Sequence, residues 1–206
     1  MIPTLTRRQT LLAAALVAAM PRVALAQTEA DPRVGERTIG AADAPVTLVE
    51  YAMFTCPHCA NFHANAMPRL KTDYIDTGKV RLVYREVYFN RPSLWAGMIA
   101  RCAPEERYFG IVDVLYQRQS DWAAAENEQD MLAKLFSIGR QAGLTDDAMN
   151  ACLQDRAFAE GLVAEYQEKA TADGIDATPT FMINGRKQAN VAYEELAAML
   201  DEALGS

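Results

Sequence analysis

Phe54-Thr55-Cys56-Pro57-His58-Cys59 sets two cysteines three positions apart, with a proline directly after the first. Proline is favoured at the first helical position, where its missing N–H would be unpaired anyway. The spacing predicts a helix running from Pro57 toward Lys71, with Cys56 at its N-cap and Cys59 at N3. A sulfur at the N-cap faces the free N–H groups of the first turn and the positive end of the helix dipole. Both favour thiolate over thiol, and thiolate is the species that attacks disulfides. Cys-x-x-Cys is also half of a common zinc arrangement. A tetrahedral zinc needs four ligands. Beyond the pair the chain offers His58, His63 and two distant cysteines, with no second Cys-x-x-Cys and no spaced histidine pair. No metal is expected at the site.

The flanks give the pair a setting. Upstream, Val46-Thr47-Leu48-Val49-Glu50-Tyr51 is an apolar, β-branched run that reads as a buried central strand. Downstream, the helix should kink or break at Pro68, reach about Asp76 and stop at Thr77-Gly78. Val80 to Val87 reads as a second strand, which makes a βαβ unit with a parallel pair and a right-handed crossover. From about 91 to 173 the period becomes helical. Tyr108, Ile111, Val112, Leu115 and Tyr116 form one stripe, and Phe158, Leu162, Tyr166 and Ala170 another. This block should hold roughly four or five helices. The strand period returns at Thr180 to Ile183, Asn184-Gly185 signals a hairpin, and Arg186 to Gln188 would be the return strand. An amphipathic helix carrying Tyr193, Leu196, Leu200 and Leu204 closes the chain.

The first 26 residues read as a cleaved export signal. Arg7 and Arg8 precede an apolar run from Leu11 to Met20, and Ala24-Leu25-Ala26 supplies the small-x-small cleavage pattern. Thr6-Arg7-Arg8-Gln9 also resembles a twin-arginine signal, so either export route fits. Residues 27–39 are polar, carry Pro32 and Gly35, and read as a flexible lead-in. Net charge is −7, and the leader holds Arg7, Arg8 and Arg22 but no acid, so the mature chain is more acidic still. No basic run suggests nucleic acid. An exported chain is expected in a compartment where disulfides persist, the periplasm. Its four cysteines allow three pairings.

Strand, redox helix and strand, then hairpin and helix, together with Ala177-Thr178-Pro179-Thr180-Phe181, resemble the DsbA family of exported thiol:disulfide oxidoreductases. The resemblance covers about Gly40 to the end. It implies an α/β thioredoxin fold over 40–206, βαβ plus ββα around a central mixed sheet, interrupted at about 91–173 by an all-helical subdomain. It implies that Pro179 is cis beside the redox pair, and an extended client would then pair with the N–H and C=O of Thr178. Cys56 would be the attacking and attacked sulfur and Cys59 the resolving one. Pro57 would start the helix, and His58 would donate a hydrogen bond or positive charge to the Cys56 thiolate. The disulfide would then be a strong oxidant, passed to folding client proteins and restored by a DsbB-type membrane partner, with no cofactor beyond the cysteines. Thr178 stands where close relatives often have valine. An isomerase or reductase of the same fold is the alternative, and a redox-inactive binding or assembly module is a third reading, which both cysteines speak against.

Other residues carry expectations of their own. Glu50, six residues before Cys56 in an apolar strand, would exchange the Cys59 proton if buried, or stand half-exposed. His63, one turn past Cys59, reads as a surface or helix-face histidine without a role. Cys102 and Cys152 are either two core thiols or a structural disulfide; the resemblance favours the bridge, which could also tune the redox pair. Tyr51, Phe54 and Phe89 are core residues or the flank of a client groove.

Overall fold

A computed structural model describes residues 31–205; the export signal expected at 1–26 lies outside the described residues. Strand β2 (Val46–Ala52) is buried along its length except at Thr47. It pairs in parallel with β3 (Val80–Glu86) and antiparallel with β4 (Thr180–Ile183). With β1 (Arg37–Ile39) on the outer edge of β3 and β5 (Arg186–Gln188) on that of β4, the sheet order is β1-β3-β2-β4-β5. Asn184 and Gly185 take φ of 47° and 78° between β4 and β5. Those left-handed values are what a two-residue hairpin turn needs to match strand twist.

The lead-in differs from expectation. Residues 37–39 pair antiparallel with β3, from Arg37 opposite Tyr84 to Ile39 opposite Leu82. Arg101 donates to the carbonyls of Arg33 and Gly35 at 2.7 and 2.8 Å, and Arg33 reaches Asp155 at 2.5 Å. The polar side chains that made this stretch look flexible are the ones that fasten it.

Helix α1 (Pro57–Asn65) stops before Pro68, and α2 (Met67–Leu70) follows with that proline in its first turn. A proline has no N–H to give the preceding turn, so the ladder restarts there. One π-helical turn (Lys71–Ile75) then leads to Gly78, at φ +74°. Between β3 and β4 lie six helices rather than four or five: α3 (Arg91–Cys102), α4 (Tyr108–Gln117), α5 (Gln119–Trp122), α6 (Glu128–Gln141), α7 (Asp146–Gln154) and α8 (Arg156–Ala172). Asn90, Asn127, Thr145 and Asp155 cap four of them through side-chain oxygens. Such caps satisfy first-turn donors and set where each helix begins. Cys102 and Cys152 form a disulfide joining α3 to α7, with Cα atoms 6.4 Å apart.

The alternation of β2 divides the core. Val46 and Leu48 face a layer made with Leu70, Phe181 and Leu196, the last from α9 (Tyr193–Leu204). Val49 and Tyr51 face Val83, Met182 and Ala170 of α8. A third cluster joins Phe54, Cys56 and Cys59 to Ile99, Tyr108, Leu115 and Trp122 of the inserted helices. The redox loop is therefore seated on the insertion as well as on the sheet.

One ion pair is fully enclosed in this seam. Arg101 and Glu86 side chains are each 3% exposed; Nε donates to Oε1 at 2.6 Å, Nη2 bonds Oε2, and the Tyr108 hydroxyl adds a bond to Oε1 at 2.7 Å. Removing one partner of such a pair strands a buried charge at a cost of about 3–5 kcal/mol. Arg101→Met is expected to lower stability by about that much in urea unfolding, with part recovered when Glu86→Gln is added. A loss below about 1 kcal/mol would show that the pair is dispensable.

Candidate active site

Cys56 takes extended backbone angles (φ −83°, ψ 119°) and caps α1, with Pro57 at the first helical position. Both Cys56 and Cys59 are free thiols; Cys59 is fully enclosed, and Cys56 retains 6% exposure. The Thr178–Pro179 peptide is cis, and the Cys56 sulfur lies 3.3 Å from the Thr178 carbonyl oxygen. The two segments that the sequence kept 122 residues apart thus meet at one sulfur.

The two sulfurs are driven in opposite directions. The Cys59 thiol donates to Cys56 and is the largest cause lowering the Cys56 pKa from 9.0 to about 5. Burial opposes this, while the Thr178 side chain and the backbone N–H groups of Cys59 and His58 add to it. Cys59 moves far upward, first because the same bond uses its proton, then through burial and the charge of Glu50. At neutral pH the pair therefore holds one proton, and it sits on Cys59. His58 contributes its main-chain N–H; its side chain lies in an exposed residue, and no ring hydrogen bond to Cys56 occurs.

Two helices of the insertion, α5 and α3 with its cap, pin the loop. Gln119 Nε2 donates to the carbonyls of Phe54 and Cys56 at 2.7 and 2.9 Å. The Phe54 N–H donates to Ser93 Oγ at 3.1 Å, and Asn90 Nδ2 donates to Thr55 Oγ1 at 2.9 Å. None of these residues announces itself in the sequence, because a buried glutamine or serine has no periodicity that separates it from a surface one.

Glu50 is fully buried, and its Oε1 lies 3.0 Å from Nε2 of His63. His63 is not the surface histidine that its sequence allowed: its side chain is 4% exposed and meets Glu50 of the sheet. The i, i+4 spacing from Cys59 places both on the inner side of α1, and that was the available clue. Tyr51 and Phe54 are core residues, whereas Phe89 is 51% exposed and meets Tyr166 edge-on. Among the described residues, no group of three or more His, Cys, Asp or Glu side chains is placed to hold a metal ion.

With this geometry in place, the chain can be set beside known proteins. The thioredoxin family model matches residues 33–202. The chain belongs to the thioredoxin family. Within it, the chain superposes on the crystal structure of α-DsbA1 from Wolbachia pipientis with a TM-score of 0.75 at 28% identity, over 83% of this chain and 92% of that one. It is 31% identical over 170 residues to a Rickettsia bellii protein described as a protein-disulfide oxidoreductase, covering 82% of this chain and 64% of that protein. This chain thus spans less than two thirds of that relative's length. Disulfide bond formation protein D of Bacillus subtilis is 25% identical over 181 residues, covering 82% of this chain and 78% of its own length.

For this thioredoxin-family chain the split between the sulfurs is directly measurable. Alkylation of the reduced protein is expected to titrate at Cys56 with a midpoint near pH 5, with Cys59 unreactive throughout the neutral range. A Cys56 midpoint near the free value of about 8.5 would show that the bonds from Cys59 and Thr178 do not hold a thiolate.

Proposed function

We propose that this chain is an exported protein thiol:disulfide oxidoreductase that donates the Cys56–Cys59 disulfide to folding client proteins. The observation that carries this reading is the Cys56 sulfur, poised as a thiolate between Cys59 and Thr178 beside the cis Pro179. A client thiolate attacks Cys56 Sγ; the S–S bond breaks, and its electron pair goes to Cys59, which takes up a proton. A second client thiolate then attacks the client sulfur of the mixed disulfide and expels Cys56 as a thiolate. Two electrons pass from client to protein. Of the two client protons, one ends on Cys59 and one is released.

The leaving group sets the direction. At pH 7 a thiol with a pKa of about 5 is stabilised by about 3 kcal/mol as its thiolate, which makes a two-electron couple ~60 mV more oxidising. Pro57 opens the helix whose first-turn N–H groups reach the sulfur, and His58 supplies one of them. The Thr178 carbonyl, beside the Cys56 sulfur, can accept from a client backbone as an added strand. Glu50 exchanges the Cys59 proton. The Cys102–Cys152 bridge holds α3 to α7 behind the loop. The reaction needs no cofactor beyond the cysteines, with a DsbB-type membrane protein as reoxidant and the periplasm as its place. No helix of the described residues is long and apolar enough to cross a membrane.

Two measurements test this together. Equilibrated with glutathione, the pair is expected to titrate about 50–60 mV above thioredoxin's value of about −270 mV. A Cys59→Ser variant is expected to accumulate mixed disulfides with reduced client proteins through Cys56. A potential at or below that of thioredoxin would make the chain a reductant instead.

A further inference from the structure

Behind the redox pair, His63 and Glu50 form a contact with side chains 4% and 0% exposed. Each keeps an atom in reserve: Nδ1 of His63 and Oε2 of Glu50 are buried with no hydrogen-bond partner in the protein. Buried polar atoms are normally paired, and an orphan costs about 1–3 kcal/mol. Two orphans on one pair are a poor structural arrangement and a suitable chemical one.

The pair has two sides. On one, the charge of Glu50 acts on Cys59, after the bond to Cys56 and burial, to hold its proton. On the other, the His63 residue lines a cavity of about 350 Å³ beside α1, α2 and α4, walled also by Ala64, Met67, Lys71, Asp113 and Tyr116. Lys71 and Asp113 are exposed residues, so the cavity is in reach of solvent. It is polar enough in part, and far larger than needed, to hold water.

We propose that His63 is a relay residue that carries the Cys59 proton between Glu50 and this cavity. The proposal rests on the thiol–disulfide reading above and adds the route by which a fully enclosed proton enters and leaves. When a client thiolate displaces Cys59, the electron pair of the S–S bond lands on a buried sulfur. The Glu50 carboxylate takes a proton from Nε2 of His63 and hands it to the Cys59 thiolate, ending charged again, and the imidazole draws the replacement from cavity water. One proton thus enters from solvent for each Cys59 thiolate formed. Reoxidation runs the transfers backward: Cys59 gives up its proton as its sulfur attacks, and one proton leaves through the ring.

The surroundings of the ring leave few other routes. Tyr116 of α4 stacks on it at 4.2 Å between centroids, and Tyr84 of β3 meets it edge-on at 5.9 Å. Their hydroxyls bond each other at 2.7 Å, and burial holds both phenols far above their ordinary range, so neither exchanges protons near neutral pH. Asp113 of α4, on which the charge of His63 acts, and Lys71 stand on the cavity side. Glu50 of β2 stands on the redox side. Imidazole is the side chain whose ordinary pKa suits it to pass protons in both directions at neutral pH.

The test is single-turnover oxidation of a reduced dithiol peptide by the oxidised full chain, followed from pH 5 to 9. His63→Gln, which can still donate to Glu50, is expected to slow the reaction at least about tenfold and to flatten its pH profile. In His63→Ala, added imidazole and methylimidazoles are expected to restore the rate in the order of their basicity. A parental rate and pH profile in His63→Gln, or a rescue indifferent to basicity, would reduce His63 to a structural contact and overturn the relay. If the His63 variants do not fold, Ala64→Leu fills the cavity while leaving the His63–Glu50 contact, and is expected to slow the same step; an unchanged rate overturns the proposal. Failure of the parental protein to oxidise the peptide would instead count against the thiol–disulfide reading itself.

Discussion

The hydrogen bond from the Cys59 thiol to the Cys56 sulfur favours a pair in which Cys56 is charged and Cys59 neutral. Everything around the pair serves that asymmetry. Pro57 starts α1 directly after Cys56, so the sulfur sits where backbone N–H groups point outward. Cys59, one turn in, is sealed against Phe54 and the inserted helices, and its bond to Cys56, then burial, keeps its proton on. Thr178 and the cis Pro179 close the remaining side. In the proposed reaction, a stable Cys56 thiolate is a good leaving group, and so the disulfide is readily given away.

That asymmetry demands rigidity, and the insertion supplies it. The redox loop has little regular structure before Pro57, yet Gln119 and Ser93 take up its backbone groups and Asn90 its Thr55 hydroxyl. The loop is thus held by residues 35–65 positions away in sequence, on elements stapled by Cys102–Cys152 and anchored by the enclosed Arg101–Glu86 pair. Thiol chemistry at a helix start needs a fixed sulfur more than a reactive one, because a hydrogen bond that stabilises a thiolate weakens quickly with distance and angle.

Much of this was legible in the residues. Strand periodicity, the proline after Cys56, Asn184-Gly185 and Thr178-Pro179 are local features, and local chemistry determines local structure. The parallel pairing of β2 with β3 followed from the βαβ unit. What escaped was contact between elements. His63 looked like a surface histidine because its partner lies on β2, thirteen residues earlier, and only the turn of α1 decides which way it faces. Gln119 was invisible for the same reason at greater range. The strand at 37–39 escaped because it is three residues long and is held from outside, by pairing with β3 and by Arg101 on the Arg33 and Gly35 carbonyls just before it.

The central claim is that folding holds Cys56 as a thiolate, and the most direct measurement compares urea unfolding of the reduced and oxidised protein across pH. A thiol whose pKa falls from 9.0 to about 5 on folding contributes stability that is complete above pH 9 and lost as pH falls toward 5. The stability of the reduced form relative to the oxidised form should therefore climb from pH 5 to about pH 9, with a slope of about 1.4 kcal/mol per pH unit, and level off below pH 5. A difference that does not change with pH across that window would contradict the account.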